Sequence, residues 1–134
     1  MPHLVILYTA NLDKETDMTA LCRTLADTML QIKDETGVQV YPTGGTRVFA
    51  YPAAHFAVAD GKDDYAFVYL NVRMAKGRSD ATKKAAGEAI IASAKAHFET
   101  VFAQRRIGMT LQIDEGMEVF DAKHSNLHPL FNKA

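Results

Sequence analysis

The chain has 134 residues, of which 48% are hydrophobic and 23% are charged, a composition typical of a globular protein with a hydrophobic core. Fifteen Lys and Arg against sixteen Asp and Glu give a net charge of −1, so no basic field favours nucleic acid or an anionic membrane. The apolar runs are shorter than the about 20 residues of a membrane-spanning helix, no signal peptide is recognised, and the single cysteine, Cys22, cannot form an internal disulfide. We therefore expect one domain over residues 1–134, located in the cytoplasm, with no nucleic-acid or membrane partner.

The first half of the chain is predicted to contain one helix and three strands. The apolar run at residues 4–8 is rich in β-branched and aromatic types, which is typical of a buried strand. Apolar residues spaced along one helical face predict an amphipathic helix over 18–32. Short strands are expected at 38–40 and 47–51, because the residues at 42–45 have the composition of a turn.

The second half repeats this pattern. A strand is predicted at 65–72, a loop at 75–79, a long helix over 80–104 and a further strand at 107–113. Each half is thus a strand, a helix and a strand, and a crossover of this length makes the flanking strands parallel. Two helices on one side would leave the other face of the sheet uncovered, so we expect an oligomer.

The segment after residue 116 is less regular. It carries four apolar residues that we expect to dock on the same subunit or on a neighbour, namely Phe120, Leu127, Leu130 and Phe131.

Pro2 is a candidate acid/base residue. Removal of Met1 would expose a secondary amine, and a free α-amino group has a pKa of about 7.7–8, which burial or nearby cations lower toward neutrality. If Met1 is retained, the nitrogen is an amide without useful basicity. The same two residues also fit an ordinary chain start, but Pro2 directly precedes a strand that should be buried.

Two arginines are candidates for binding an anion. Arg47 follows a pair of glycines, and Arg78 lies in a glycine-containing loop directly before the second predicted helix. Backbone N–H groups at a helix start and a guanidinium group both suit a carboxylate or a phosphate. Either arginine could also form a weak surface ion pair, and Ser79 or Asp80 is an ordinary helix cap.

Other kinds of site have little support. His124 and His128 have the i, i+4 spacing of metal ligands, but Pro129 argues against the continuous helix that would align them, so we expect no metal. Dinucleotide, nucleoside triphosphate and α/β-hydrolase motifs are absent from the sequence.

The chain resembles the 5-carboxymethyl-2-hydroxymuconate isomerases of the tautomerase superfamily over nearly its whole length. The matching segments occur in the same order, at residues 1–5, 45–47, 59–61, 64–68, 77–79 and 126–131. The resemblance implies an α+β tautomerase-type fold, in which two β-α-β repeats form a four-stranded mixed sheet with two helices on one face and short extra strands. It also implies a homotrimer that needs no cofactor.

The resemblance further implies a reaction and its residues. The reaction is a 1,3-proton shift that turns a dienol into the conjugated 2-oxo isomer, on an unsaturated 2-hydroxy di- or tricarboxylate such as 5-carboxymethyl-2-hydroxymuconate. Pro2 matches the acid/base proline of the family, and Arg47 and Arg78 match the arginines that hold the carboxylates of this small-molecule substrate.

Two positions depart from the family pattern. Leu7 stands where an acidic residue is common, and Phe49 stands where a second arginine is common. These departures leave two alternatives open: a related tautomerase or hydratase activity on the same scaffold, and a non-catalytic oligomeric binding protein.

Overall fold

Four strands form one mixed sheet in the computed structural model, which describes residues 2–131. In chain order, the elements are β1 (His3–Thr9), α1 (Met18–Leu30), β2 (Arg47–Ala53), β3 (Ala66–Met74), α2 (Asp80–His97), α3 (Glu99–Gln104) and β4 (Ile107–Glu115). Short 3-10 turns occupy Ala10–Leu12, Thr43–Gly45 and His128–Leu130.

The strand order is β2-β1-β3-β4. β1 is parallel to β2, β3 is parallel to β4, and the two central strands, β1 and β3, are antiparallel. Each parallel pair is joined by a crossover that contains a helix, as a parallel connection requires. The predicted α+β fold with two β-α-β repeats is therefore confirmed.

The core lies between one face of the sheet and the helices. In β1, Leu4, Ile6 and Tyr8 are buried, whereas Leu7 is exposed, as expected for a strand with a single buried face. α1 and α2 pack against each other and against this face. The largest fully buried side chains of the two helices and the segment after α2 are Leu21, Leu25, Met29, Ile90 and Phe98.

The opposite face of the sheet carries exposed apolar side chains. Leu7, Phe49 and Tyr51 are 47%, 44% and 52% exposed, and they lie on neighbouring strands, where Leu7 pairs with Tyr51. We call the surface formed by Val5, Leu7, Phe49, Tyr51 and Tyr69 the open sheet face. None of the described helices covers this face, as the sequence analysis expects.

Two predicted elements are wrong in detail. Residues 38–40 do not form a strand of the sheet, because the Asp34 carboxylate accepts hydrogen bonds from the N–H groups of Thr36 and Val38 and curls the chain into a turn. Gly37, with φ +83°, completes this turn, and only an isolated bridge between Lys33 and Gln39 remains.

The predicted helix over 80–104 is divided into α2 and α3. The break lies at Phe98, whose backbone has φ −92° and ψ 7° and whose side chain is fully buried. The ring of Phe98 packs edge-on against that of His97, with 5.0 Å between the ring centres. No helix within residues 2–131 is both long enough and apolar enough to cross a membrane.

The turn after α1 is tied to the start of α2. Ser79 caps α2, as expected, by accepting a hydrogen bond from the N–H of Thr82 at 3.1 Å. The Glu35 carboxylate accepts hydrogen bonds from the hydroxyls of Ser79 and Thr82, at 2.6 and 2.5 Å. These two bonds hold the pKa of Glu35 below its usual value, and the bond from Ser79 has the larger effect. We call this arrangement the Glu35 clamp.

We expect Glu35→Gln to lower the melting temperature at neutral pH, because the charge-assisted hydrogen bonds to Ser79 and Thr82 are weakened. The pKa of Glu35 is lower in the folded state than in the unfolded state. Its contribution to the free energy of unfolding is therefore complete above the unfolded-state pKa and is lost as the pH falls through the folded-state pKa. Thermal unfolding from pH 7 to pH 3 should therefore show the two proteins converging at acid pH. A constant difference in melting temperature would contradict this account.

Candidate active site

A cavity of about 420 Å³ lies at one edge of the sheet. It is lined by Pro2, Val40, Tyr41, Pro42, Gly45, Met74, Ala75, Arg78, Lys123, Ser125, His128 and Pro129. The pairing of the strands brings three of the contributing segments together, because His3 lies opposite both Arg73 and Arg47. The start of β1, the end of β3 and the segment before β2 therefore meet at the same edge.

Pro2 is buried and lines the cavity directly before β1 begins. Its neighbours in the wall include the apolar side chains of Val40, Pro42 and Met74. Met1 lies outside the described residues. Pro2 therefore lies at the entry to a buried strand, as predicted.

Arg78 lines the same cavity from the loop between β3 and α2. Its Nη2 donates a hydrogen bond to the carbonyl oxygen of Val40 at 3.0 Å, and its Nη1 lies 4.0 Å from Oδ2 of Asp34. A guanidinium group has five N–H donors, so these contacts leave others for a ligand. Gly77, at φ +105°, allows the loop to turn directly before Arg78.

Arg47 does not line the cavity. Its Nη1 donates a hydrogen bond to the carbonyl oxygen of Gly45 at 2.8 Å, and Gly45 is part of the wall. Arg47 thus lies beside the cavity, whereas Pro2 and Arg78 line it. Leu7 and Phe49, the two positions that the sequence analysis singles out as departures, are on the open sheet face and do not line the cavity either.

Tyr41 is a wall residue that the sequence analysis missed. It is 1% exposed, and its hydroxyl donates a hydrogen bond to the Sδ atom of Met74 at 3.6 Å. Burial raises the pKa of this hydroxyl, and the positive charge of Arg78 partly opposes the rise. No local signal in the sequence identifies Tyr41, because its contact with Met74 joins segments 33 residues apart.

The segment after β4 supplies a further wall that the sequence analysis also missed. Ser125 Oγ accepts hydrogen bonds from the N–H groups of Leu127 and His128, at 3.0 and 3.2 Å, which organises the turn before His128. His128 then packs closely on Gly44, where a Cβ atom would lie 2.5 Å from the Cα of His128. The glycine pair before Arg47 was the available signal for such a close approach.

The apolar residues of this segment remain largely exposed within the chain. Phe120, Leu127, Leu130 and Phe131 are 83%, 52%, 69% and 51% exposed. The segment therefore docks on its own subunit through His128, and the predicted docking of its apolar residues does not occur on the described part of the same chain.

The charge of the wall favours an anionic ligand. Arg78 and Lys123 are cations, and none of the described residues that line the cavity is an Asp or a Glu. The volume is within the range of about 300–1,000 Å³ that is typical of small-molecule sites. Within residues 2–131, no three His, Cys, Asp or Glu side chains are grouped so as to hold a metal ion.

Comparison with known proteins shows the family to which the chain belongs. The family described as 5-carboxymethyl-2-hydroxymuconate isomerase matches residues 2–131. A 5-carboxymethyl-2-hydroxymuconate Delta-isomerase from Escherichia coli is 28% identical over 131 residues, which covers 98% of this chain and 99% of that protein.

Two crystal structures share the fold at higher identity. A 5-carboxymethyl-2-hydroxymuconate delta-isomerase is 55% identical, with a TM-score of 0.96 and coverage of 100% of this chain and 95% of that one. A 5-carboxymethyl-2-hydroxymuconate isomerase from Deinococcus radiodurans R1 is 33% identical, with a TM-score of 0.86 and coverage of 98% and 95%. The tautomerase-type fold is thereby confirmed, and the chain belongs to the 5-carboxymethyl-2-hydroxymuconate isomerase family, a family of isomerases.

Proposed function

We propose that this isomerase catalyses a proton shift along an unsaturated 2-hydroxy di- or tricarboxylate, such as 5-carboxymethyl-2-hydroxymuconate, without a cofactor. The observation that carries the proposal is the shared cavity of Pro2 and Arg78, which has an apolar wall and cationic side chains and no lining carboxylate among the described residues. The family membership supplies the substrate class, since both crystal structures and the curated relative carry this substrate in their names.

Pro2 is proposed to be the acid/base group, with its amine free after removal of Met1. The amine takes the proton of the substrate's 2-hydroxyl, the double bonds move along the conjugated chain, and a proton from the amine is delivered to carbon. The O–H bond is broken and a C–H bond is formed, so the reaction has no net gain or loss of protons. One group that is basic and then acidic needs a pKa near the working pH.

The surroundings of Pro2 support such a pKa. Burial disfavours the charged form of an amine, and a nearby cation disfavours it further. Pro2 is buried, and Arg78 lines the same cavity. Both influences lower the pKa of a terminal amine from its ordinary value of about 7.7–8.

Arg78 is proposed to bind one substrate carboxylate and to stabilise the dienolate as negative charge spreads along it. Preorganised donors in a cavity that excludes water are effective in this role because they need no reorganisation during the reaction. The Val40 carbonyl holds Arg78 in place before the substrate arrives. Arg47 is proposed to hold a further carboxylate, after releasing the Gly45 carbonyl or across a subunit boundary.

A homotrimer in the cytoplasm is proposed as the assembled form. The open sheet face supports association, because an apolar sheet face is normally buried against another layer of structure. The exposed apolar residues after β4 offer a second surface for a neighbouring subunit. The single cysteine, Cys22, fits a reducing compartment.

We expect purified active protein to have an intact mass without Met1, and we expect Pro2→Ala to lower kcat/KM at neutral pH by about 10²–10⁴-fold, the usual contribution of a general acid/base. Ketonisation of the dienol, followed by ultraviolet absorbance, gives the rate. Full activity in protein that retains Met1 would exclude the amine. If the protein turns over only phenylpyruvate-type or hydration substrates, a related activity on the same scaffold is favoured. If it turns over none of the substrates tested, a binding protein is favoured.

Replacement of Arg78 by Met should raise KM by about 10–100-fold, because hydrogen bonds to a charged group contribute about 1.5–3 kcal/mol. Arg78→Lys should restore part of the loss, since it retains the charge without the fork of donors. Arg23→Met is the matched control, because Arg23 is an exposed arginine paired with Asp27 on α1. Steady-state kinetics with an unchanged KM for Arg78→Met would contradict the assignment.

The open sheet face is tested by Phe49→Lys, which should convert the assembly to smaller species because a charge cannot be buried there without a partner. Sedimentation equilibrium should give three times the mass of one chain for the unaltered protein. Val38→Lys, at an exposed apolar residue of the turn after α1 and outside both proposed surfaces, is the control and should leave the mass unchanged. A monomeric unaltered protein would refute the trimer.

A further inference from the structure

The segment after β4 contributes three polar side chains to the cavity, and the proposed proton transfer gives none of them a role. Lys123, Ser125 and His128 line the wall together with Pro2 and Arg78. They come from a part of the chain separate from the loop of Arg78. We call these three residues the tail subsite.

His128 contributes its imidazole ring to this wall. Its Nδ1 atom is buried, has no hydrogen-bond partner among residues 2–131, and lies 3.0 Å from the position that a Cβ atom of residue 44 would take, so it faces the Gly44 turn. The ring nitrogen that remains for a ligand in the cavity is therefore Nε2. The close contact of His128 with Gly44 fixes the ring, because this approach is possible only without a side chain at residue 44.

Ser125 and Lys123 add donors beside this ring. Ser125 Oγ already accepts two backbone N–H groups, so its own O–H is available to donate. Lys123 donates to Oδ2 of Asp121 at 2.6 Å, and this pairing holds the pKa of Asp121 below its ordinary value. Both side chains of that pair are 52% exposed, and a surface ion pair of this kind is weak enough for a ligand carboxylate to share the lysine.

We propose that the tail subsite binds a carboxylate of the substrate other than the one held by Arg78, and that it makes the enzyme prefer a tricarboxylate over the corresponding dicarboxylate. This inference rests on the proposed function. Three donors in the wall suit the two oxygens of a carboxylate. No described Asp or Glu lines the wall, and the one carboxylate that engages a donor of the subsite is Asp121, through its exposed ion pair with Lys123. A dicarboxylate lacks the group that the subsite binds.

The first test compares 5-carboxymethyl-2-hydroxymuconate with 2-hydroxymuconate, which lacks the carboxymethyl group. Lys123→Met and His128→Leu should each reduce the ratio of kcat/KM for the tricarboxylate to that for the dicarboxylate by about tenfold, the effect of one hydrogen bond to a charged group. The loss should lie in the KM of the tricarboxylate. Lys84→Met is the matched control, because Lys84 is an exposed lysine in an ion pair with Glu88 on α2.

The second test measures binding without turnover. Isothermal titration with propane-1,2,3-tricarboxylate and with glutarate, which differ by one carboxylate, should show tighter binding of the tricarboxylate to the unaltered protein and a loss of this preference in both tail variants. Equal losses for both ligands, or an unchanged preference, would overturn the tail subsite. If the enzyme fails to turn over either dienol but the binding preference behaves as expected, the proposed reaction is wrong and the subsite stands.

Discussion

The antiparallel pairing of β1 with β3 is the constraint on which the cavity depends. It places His3 opposite Arg73, so the residue before β1 and the loop after β3 lie at the same edge of the sheet. The parallel pairing of β1 with β2 adds the segment before β2 to this edge. A shift of either pairing by one residue would also exchange the buried and open faces of β1, which the alternation of Leu4, Ile6 and Tyr8 with exposed Leu7 prevents. The hydrophobic pattern of one strand thus fixes both the core and the position of Pro2.

The loop that carries Arg78 is held by contacts with the turn after α1. The Val40 carbonyl accepts from the guanidinium group, and the Glu35 clamp holds Ser79 and Thr82, directly after it. Asp34 faces Arg78 at 4.0 Å, but its carboxylate is mainly engaged by Thr36 and Val38. The arginine is therefore positioned chiefly by a neutral carbonyl, which leaves its charge available to an anionic ligand.

Sequence patterns predicted the features that depend on nearby residues. Pro2 before a buried strand and Arg78 before a capped helix were both recognisable, because a strand run and a helix start are local signals. Val38 and Val40 have high β propensity, yet the Asp34 turn overrides it.

The residues that were missed depend on contacts between distant segments. Tyr41 meets Met74, and His128 meets Gly44, over separations that no spacing rule covers. The break at Phe98 was missed for a different reason: no glycine or proline marks it in the sequence, and Phe98 is fully buried at the position where α2 ends. The interior of the cavity was therefore less predictable than the elements that surround it.

Residues on the open sheet face and residues that line the cavity have different physical effects. Leu7 and Phe49, the two positions at which the sequence analysis expects charged types from the resemblance, are apolar side chains on the open sheet face. Apolar residues on that face favour association through burial of area, which is non-directional and gives no selectivity for a substrate. Pro2 and Arg78, by contrast, line the cavity, where a small change of position alters an interaction with a specific atom. We therefore expect substitutions in the cavity wall to change the substrate preference of this chain more than substitutions of Leu7 or Phe49.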